Sequence, residues 1–169
     1  MALTLLRHAP VAKALQGTYL GWSDVSIDNT LLDAYQLSTL KEKAFDICIA
    51  SDLKRCGETL EALNKTFTTD SRLREVKFKS EIEQKSFADI EQLEDYDVSS
   101  LDSEASWHTY ICEESQEHLH QRLKDFLSTL PTNREILLCS HAGSISAMMA
   151  LLGQKVETLK YLEFRRYEL

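Results

Sequence analysis

The chain has 169 residues, of which 43% are hydrophobic and 27% charged, and carries a formal net charge of −8. That size and balance predict one soluble globular domain with a substantial core. The acidic charge argues against nucleic acid or an anionic membrane as partner, since both demand a basic face, and no apolar run is long enough to span a bilayer.

The first residues, M-A-L-T-L-L-R-H, are too short an apolar run for a secretory leader and lack a cationic region ahead of it. Residues 3–7 instead predict a strand buried on both faces. Asp28 or Asn29 is suited to cap a helix beginning near Thr30, with Leu32, Tyr35, Leu40 and Ala44 as its inward stripe. Residues 46–50 (D-I-C-I-A) predict a second buried strand, and the helix after it would turn Leu53, Leu60 and Leu63 inward. Residues 72–78 alternate, which predicts a short strand or an extended loop. Residues 79–113 are acidic and mixed, which suggests helical segments joined by loops. Over 116–130 the residues Leu119, Leu123, Phe126, Leu127 and Leu130 share one helical face, and Pro131 closes the helix. Residues 135–140 (E-I-L-L-C-S) predict a third buried strand, 143–152 a packed helix, and the tail Y-L-E-F-R-R-Y-E-L an edge strand.

The four cysteines, Cys48, Cys56, Cys112 and Cys139, form no C-x-x-C pair, and two of them lie in predicted buried strands. This suits reduced thiols and a cytoplasmic location. Strands alternating with helices predict an α/β fold with a mostly parallel sheet. Ligands bind such sheets at the carboxyl ends of the strands. Three ends are chemically rich: R-H-A at 7–9, S-D-L-K-R at 51–55 and S-H-A-G at 140–143.

Phosphoryl transfer needs cationic donors around three equatorial oxygens, an in-line nucleophile and an acid for the leaving oxygen. Arg7, Arg55 and His141 are candidates for the cationic ring, since a guanidinium matches phosphate oxygens bidentately. His8 is the candidate nucleophile, because a neutral imidazole attacks through one nitrogen when the other is held. Glu75 is the candidate acid, with its carboxyl kept protonated by the charge of a bound phosphate. Glu81 and Glu83 are rivals for that place.

These residues resemble the histidine phosphatase (phosphoglycerate mutase-like) superfamily. Its R-H-G tripeptide is similar to Arg7-His8-Ala9, its S-x-L-x-R-x-x-x-T segment to residues 51–59, its L-x-E-x-x-F segment to residues 73–78 and its S-H-x-G segment to residues 140–143. The stretch G-W-S-D-V-S-I at 21–27 resembles the family's G-x-x-D-x-P-L. The resemblance implies a three-layer α/β/α sandwich over residues 1–169, with an insertion at about 79–113 forming the pocket rim. It implies a phosphohistidine on His8, phosphate binding by Arg7, Arg55 and His141, and proton transfer by Glu75, with no metal and no cofactor. Ala142, inside the S-H-A-G segment, joins the phosphate-binding set.

There are departures. Ala9 stands where the family has glycine, and Val11 stands where it has a hydroxyl, so one phosphate donor is missing; Ser23 is the candidate replacement. The G-x-W-E-G that usually follows the L-x-E-x-x-F segment is absent after Phe78. The segment R-H-A-P-V-A with G-T-Y-L-G-W-S-D-V is similar to the α-ribazole phosphatase branch, which implies α-ribazole 5′-phosphate as substrate. The expected function is therefore a cytoplasmic phosphomonoesterase acting on a small phosphorylated metabolite, with a homodimer compatible. The alternatives are a mutase, a phosphohistidine-protein phosphatase, and a degraded relative that only binds.

Other residues read more plainly. His118 and His120 stand two apart on a helix and cannot ligate one ion together. His108 is a loop or pocket-wall residue, Met148 and Met149 are core packing, and Trp22 is either a substrate-contacting aromatic or a loop anchor.

Overall fold

The structure, a computed structural model, describes residues 2–169. Its elements are β1 (Ala2–Arg7), α1 (Ala34–Lys41), β2 (Ile47–Ala50), α2 (Lys54–Ala62), β3 (Thr68–Thr69), α3 (Phe87–Ile90), α4 (Glu104–Ile111), α5 (Gln116–Ser128), β4 (Glu135–Ser140), α6 (Ala142–Leu151) and β5 (Phe164–Glu168). The strands form one sheet in the order β3-β2-β4-β1-β5. All neighbours run parallel except β5, which lies antiparallel on β1.

Both faces of the sheet are covered, which is why its central strands are continuous apolar runs. Leu3, Leu5, Ile136 and Leu138 pack toward α5 and α6 with Leu119, Leu123, Phe126, Ile145 and Met148. Leu6, Cys48, Ala50, Leu137 and Cys139 pack toward α1 and α2 with Leu40, Cys56 and Leu60. The layers are therefore helix, sheet and helix, as expected. Each fully buried leucine of this kind contributes about 1.5–3 kcal/mol by leaving water. All four cysteines are free and buried.

One stretch differs from the sequence reading, and two others take the form it allowed. The helix expected near Thr30 is first a 3-10 turn over Asn29–Leu31, capped by the Asp28 side chain; α1 then restarts behind Asp33, whose carboxylate accepts from Gln36 N. Only Leu40 of its expected stripe is buried; Tyr35 is 81% exposed and Ala44 lies beyond the helix. Residues 72–78 form no strand of the sheet. The Arg122 guanidinium takes the carbonyl oxygens of Arg72, Arg74 and Glu75, so a side chain satisfies the backbone that a neighbouring strand would have paired. Residues 79–113 hold the expected short helical pieces: α3, a 3-10 turn over Val98–Leu101, and α4.

Because β4 lies between β1 and β2, the carboxyl ends of all three strands are adjacent. Arg7 is in register with Ser140, and Ala50 with Cys139. Residues far apart in sequence are thereby delivered to one edge of the sheet.

Candidate active site

At that edge is a cavity of about 270 Å³. Arg7, His8, Arg55, Glu75, Ala142 and Tyr161 line it, with the 17–21 loop and Phe78 completing the wall.

His8 is 4% exposed. Its Nδ1 lies 2.7 Å from the carbonyl oxygen of Ala9. A carbonyl can only accept, so Nδ1 carries the proton and Nε2 is left with its lone pair. Burial, then the charges of Arg55 and Arg7, push the imidazole well below the ordinary histidine range, with the Ala9 bond opposing them. His8 is accordingly neutral near pH 7, the state in which an imidazole nitrogen keeps a free lone pair. The backbone at Ala9 is pinned in turn: its N–H donates to Thr59 Oγ1 at 2.8 Å. The methyl group of Ala9 is fully buried against Ile27 and Leu162, so the departure from glycine is accommodated by packing.

Arg55, 1% exposed, is the largest fully buried side chain. Nη1 donates to Ser23 O at 2.7 Å, Nη2 to Gly21 O at 2.8 Å and Nε to His141 Nδ1 at 3.1 Å. Burial lowers its pKa, and Cys56 and Glu75 oppose that; a guanidinium stays charged regardless. Arg7 donates from Nη1 to Leu159 O at 2.7 Å, and its buried Nε has no partner among the described residues.

His141 lies beside His8, the ring centroids 5.3 Å apart, but it does not line the cavity. Its Nδ1 accepts from Arg55, so its Nε2 is the protonated nitrogen and donates to Ser51 Oγ at 2.9 Å. Burial and the nearby Arg55 push it well below the ordinary range. In this geometry a neutral His141 orients Arg55 rather than presenting an N–H to the cavity.

Glu75 reaches the cavity from the 72–78 stretch. Its Oε1 accepts from Val76 N and Ser144 N, each at 3.0 Å, and its Oε2 from Gly143 N at 3.1 Å. The first turn of α6 thus grips the carboxylate. Glu81 and Glu83 do not line the cavity. Glu83 instead binds the 21–23 loop, accepting from Trp22 N and Ser23 Oγ.

That bond settles where the Ser23 hydroxyl points. It is held by Glu83 and by Gln84 Nε2, outside the cavity lining, and Ser23 serves the site only through the carbonyl that fixes Arg55. Its side chain was free to follow the nearest strong acceptor, and Glu83 supplies one. Trp22 anchors the loop: its Nε1 donates to Glu75 O at 2.8 Å, and Arg74 lies over its ring at 4.6 Å. No residue of 79–113 lines the cavity. The rim expected there is made by 17–21, and the segment backs it through Tyr19 N to Lys85 O, Gln84 N to Tyr19 O and the Trp107 ring packed on Tyr19.

The sequence profile of the histidine phosphatase superfamily (branch 1) matches residues 3–168. The chain belongs to that superfamily. Members are phosphatases or mutases. Among solved structures, a variant of TTHB049 from Thermus thermophilus superposes with a TM-score of 0.75 at 24% identity, covering 98% of this chain and 92% of that one. A phosphoglycerate mutase from the same organism gives 0.73 at 21%, covering 98% and 92%. A mycobacterial glucosyl-3-phosphoglycerate phosphatase gives 0.74 at 20%, covering 98% and 88%. These similarities carry the fold. No curated protein matches the chain.

Several residues of this superfamily member carry tasks that the sequence does not signal. Thr59 and Ser51 stand there only as letters of a motif, yet they pin Ala9 and His141. Arg122, paired with Glu114 at 2.6 Å, holds the Glu75 stretch from α5, and nothing in a helical polar position signals that task. Tyr161 and the 17–21 loop reach the cavity only through tertiary structure.

Proposed function

We propose that the chain is a phosphomonoesterase working through a phosphohistidine on His8. The observation that carries this is the Nδ1–H to Ala9 O bond, which leaves Nε2 of a neutral, buried imidazole unprotonated beside two guanidiniums and a carboxylate. Arg7 and Arg55 neutralise the phosphoryl group, and Ala142 lends the start of α6 to the same wall. An Nε2–P bond forms as the P–O ester bond breaks, and Glu75 delivers the proton that the leaving oxygen needs. Water then attacks phosphorus, Glu75 takes its proton, and the P–N bond breaks to release phosphate. The two guanidiniums supply the charge stabilisation, so the reading calls for no metal.

Among substrates we favour α-ribazole 5′-phosphate over 3-phosphoglycerate. Tyr19 and Phe78, edge to face at 5.3 Å, give the cavity an aromatic wall suited to a ring-bearing group. Both cavity arginines are committed to one phosphoryl group, and a net charge of −8 disfavours a second anionic group. The test is hydrolysis of p-nitrophenyl phosphate in excess EDTA by wild type and His8→Ala. Activity that survives chelation and is absent from the variant supports the reading; an inert wild type ends it. Comparing α-ribazole 5′-phosphate with 3-phosphoglycerate under the same conditions decides the substrate class, and transfer to a second hydroxyl instead of water would assign a mutase.

A further inference from the structure

Val11 is buried and offers no hydroxyl beside His8, and Ser23 turns its own toward Glu83. The cavity holds three other hydroxyls. Thr18 donates its own to Leu15 O at 2.8 Å, and Tyr19 is packed between the rings of Phe78 and Trp107, away from His8 in the ring contacts of the site. Among the described residues nothing hydrogen-bonds the Tyr161 hydroxyl.

Tyr161 stands against both groups that matter most. Its ring centroid is 5.5 Å from that of His8, and the Arg7 guanidinium lies over the ring at 4.2 Å. It is also within electrostatic reach of Arg55. The turn that carries it is fastened to the end of β1: Leu159 O accepts from Arg7 Nη1, Leu162 N donates to Arg7 O at 3.2 Å, and Arg7 N donates to Glu163 O. Leu162 adopts φ +60° to make that closure. A branched residue held there is strained, and such strain persists where the surrounding structure imposes it.

We propose that Tyr161 is a substrate-binding residue: its hydroxyl donates to a phosphoryl oxygen while its ring holds the Arg7 guanidinium against the same group. This rests on the phosphatase reading and adds one residue to it. The Arg7 Nε, buried without a partner among the described residues, is the donor that the clamp keeps available.

The experiment compares Tyr161→Phe, which keeps the ring, with Tyr161→Leu, which removes both ring and hydroxyl. Tyr35→Phe, an exposed tyrosine outside the cavity, is the control. Orthovanadate binding is measured by calorimetry, alongside turnover of p-nitrophenyl phosphate and thermal melting. The expected result is that Tyr161→Phe melts like wild type and binds orthovanadate about 10-fold or more weakly, as loss of a hydrogen bond to a charged group dictates. Its kcat/KM falls by a similar factor, and Tyr161→Leu is weaker still. Wild-type orthovanadate affinity in Tyr161→Phe overturns the proposal while leaving the phosphatase reading intact. A wild-type protein that neither hydrolyses the ester nor binds orthovanadate overturns both.

Discussion

Gly143→Ala tests the grip of α6 on Glu75. A Cβ at residue 143 would sit 2.7 Å from Glu75 Oε1, 3.3 Å from Val76 Cγ2 and 3.4 Å from Glu75 Cδ. Ordinary contact begins at 3.4 Å, so the carboxylate must retreat by about 0.7 Å from the amides of Gly143 and Ser144. The fold itself suffers little. Alanine in a helix is favoured over glycine by about 1 kcal/mol, which offsets roughly one weakened hydrogen bond. Stability should therefore stay within about 2 kcal/mol of wild type. Catalysis should not, because a misplacement approaching 1 Å costs about 100-fold and general acid catalysis is worth at least that. The assay is kcat/KM on glycerol phosphate, whose alkoxide needs the proton, against p-nitrophenyl phosphate, whose phenolate needs it less. The expected loss is about 100-fold on the first and under about 10-fold on the second, with Glu75→Gln showing the same inequality. Equal losses on the two esters, or none on glycerol phosphate, would refute the role of the carboxylate.

Other outcomes are accessible by equally simple means. Arg55→Lys cannot hold Ser23 O, Gly21 O and His141 together; urea unfolding should show a loss of about 3 kcal/mol or more, and a wild-type midpoint would contradict the account of this buried fork. Gly21→Ala places a Cβ 2.8 Å from both Glu83 Oε1 and Phe78 Cδ2 at φ +49°; it should lower thermal stability by about 1–3 kcal/mol, and an unchanged melt would show that the loop yields freely. His8 and His141 both have folded pKa values below the unfolded value of 6.5, so below about pH 6.5 the unfolded chain takes protons that the folded one refuses. Stability is then independent of these groups above that pH and falls by up to about 1.4 kcal/mol per pH unit for each below it. Urea midpoints that stay flat from pH 6.5 to 5.5 would exclude two buried neutral imidazoles.

The parts legible in sequence are those whose physics is local. Residues 3–7, 46–50 and 135–140 announce themselves because strands buried on both faces need uninterrupted apolar residues, and β1, β2 and β4 lie there. A parallel sheet then obliges their carboxyl ends to meet, which is why His8, Arg55 and the neighbourhood of His141 can be joined from the sequence alone. Where a side chain points is a different matter. Ser23 chose between the cavity and Glu83, a residue 60 positions away, and only the fold decides that. The tail reads as an edge strand from its residues alone, yet Tyr161 enters the cavity because antiparallel pairing with β1 sets the turn ahead of β5 beside Arg7. Tyr35 misled for the opposite reason: α1 is a two-turn helix on the rim of the molecule, too short for its period to report one buried face.

A charge of −8 on a chain proposed to bind a phosphate dianion is only superficially a contradiction. Screening confines surface charges to about 10 Å, whereas Arg55 is fully buried and acts in a medium of low dielectric. On the phosphatase reading, the same guanidiniums have two tasks that cannot be separated. They draw in the anion, and together with burial they deny His8 its proton. A nucleophilic imidazole is usually held by a carboxylate, which would raise its pKa and repel the substrate. Here a neutral acceptor, the Ala9 carbonyl, fixes the tautomer with no added negative charge, and Glu75, the one carboxylate lining the cavity among the described residues, is held on the first turn of α6. Replacing that carbonyl contact by a charged partner would strengthen the base and weaken the site, so the backbone conformation at Ala9, secured by Thr59, is as much a part of the chemistry as the ring it orients.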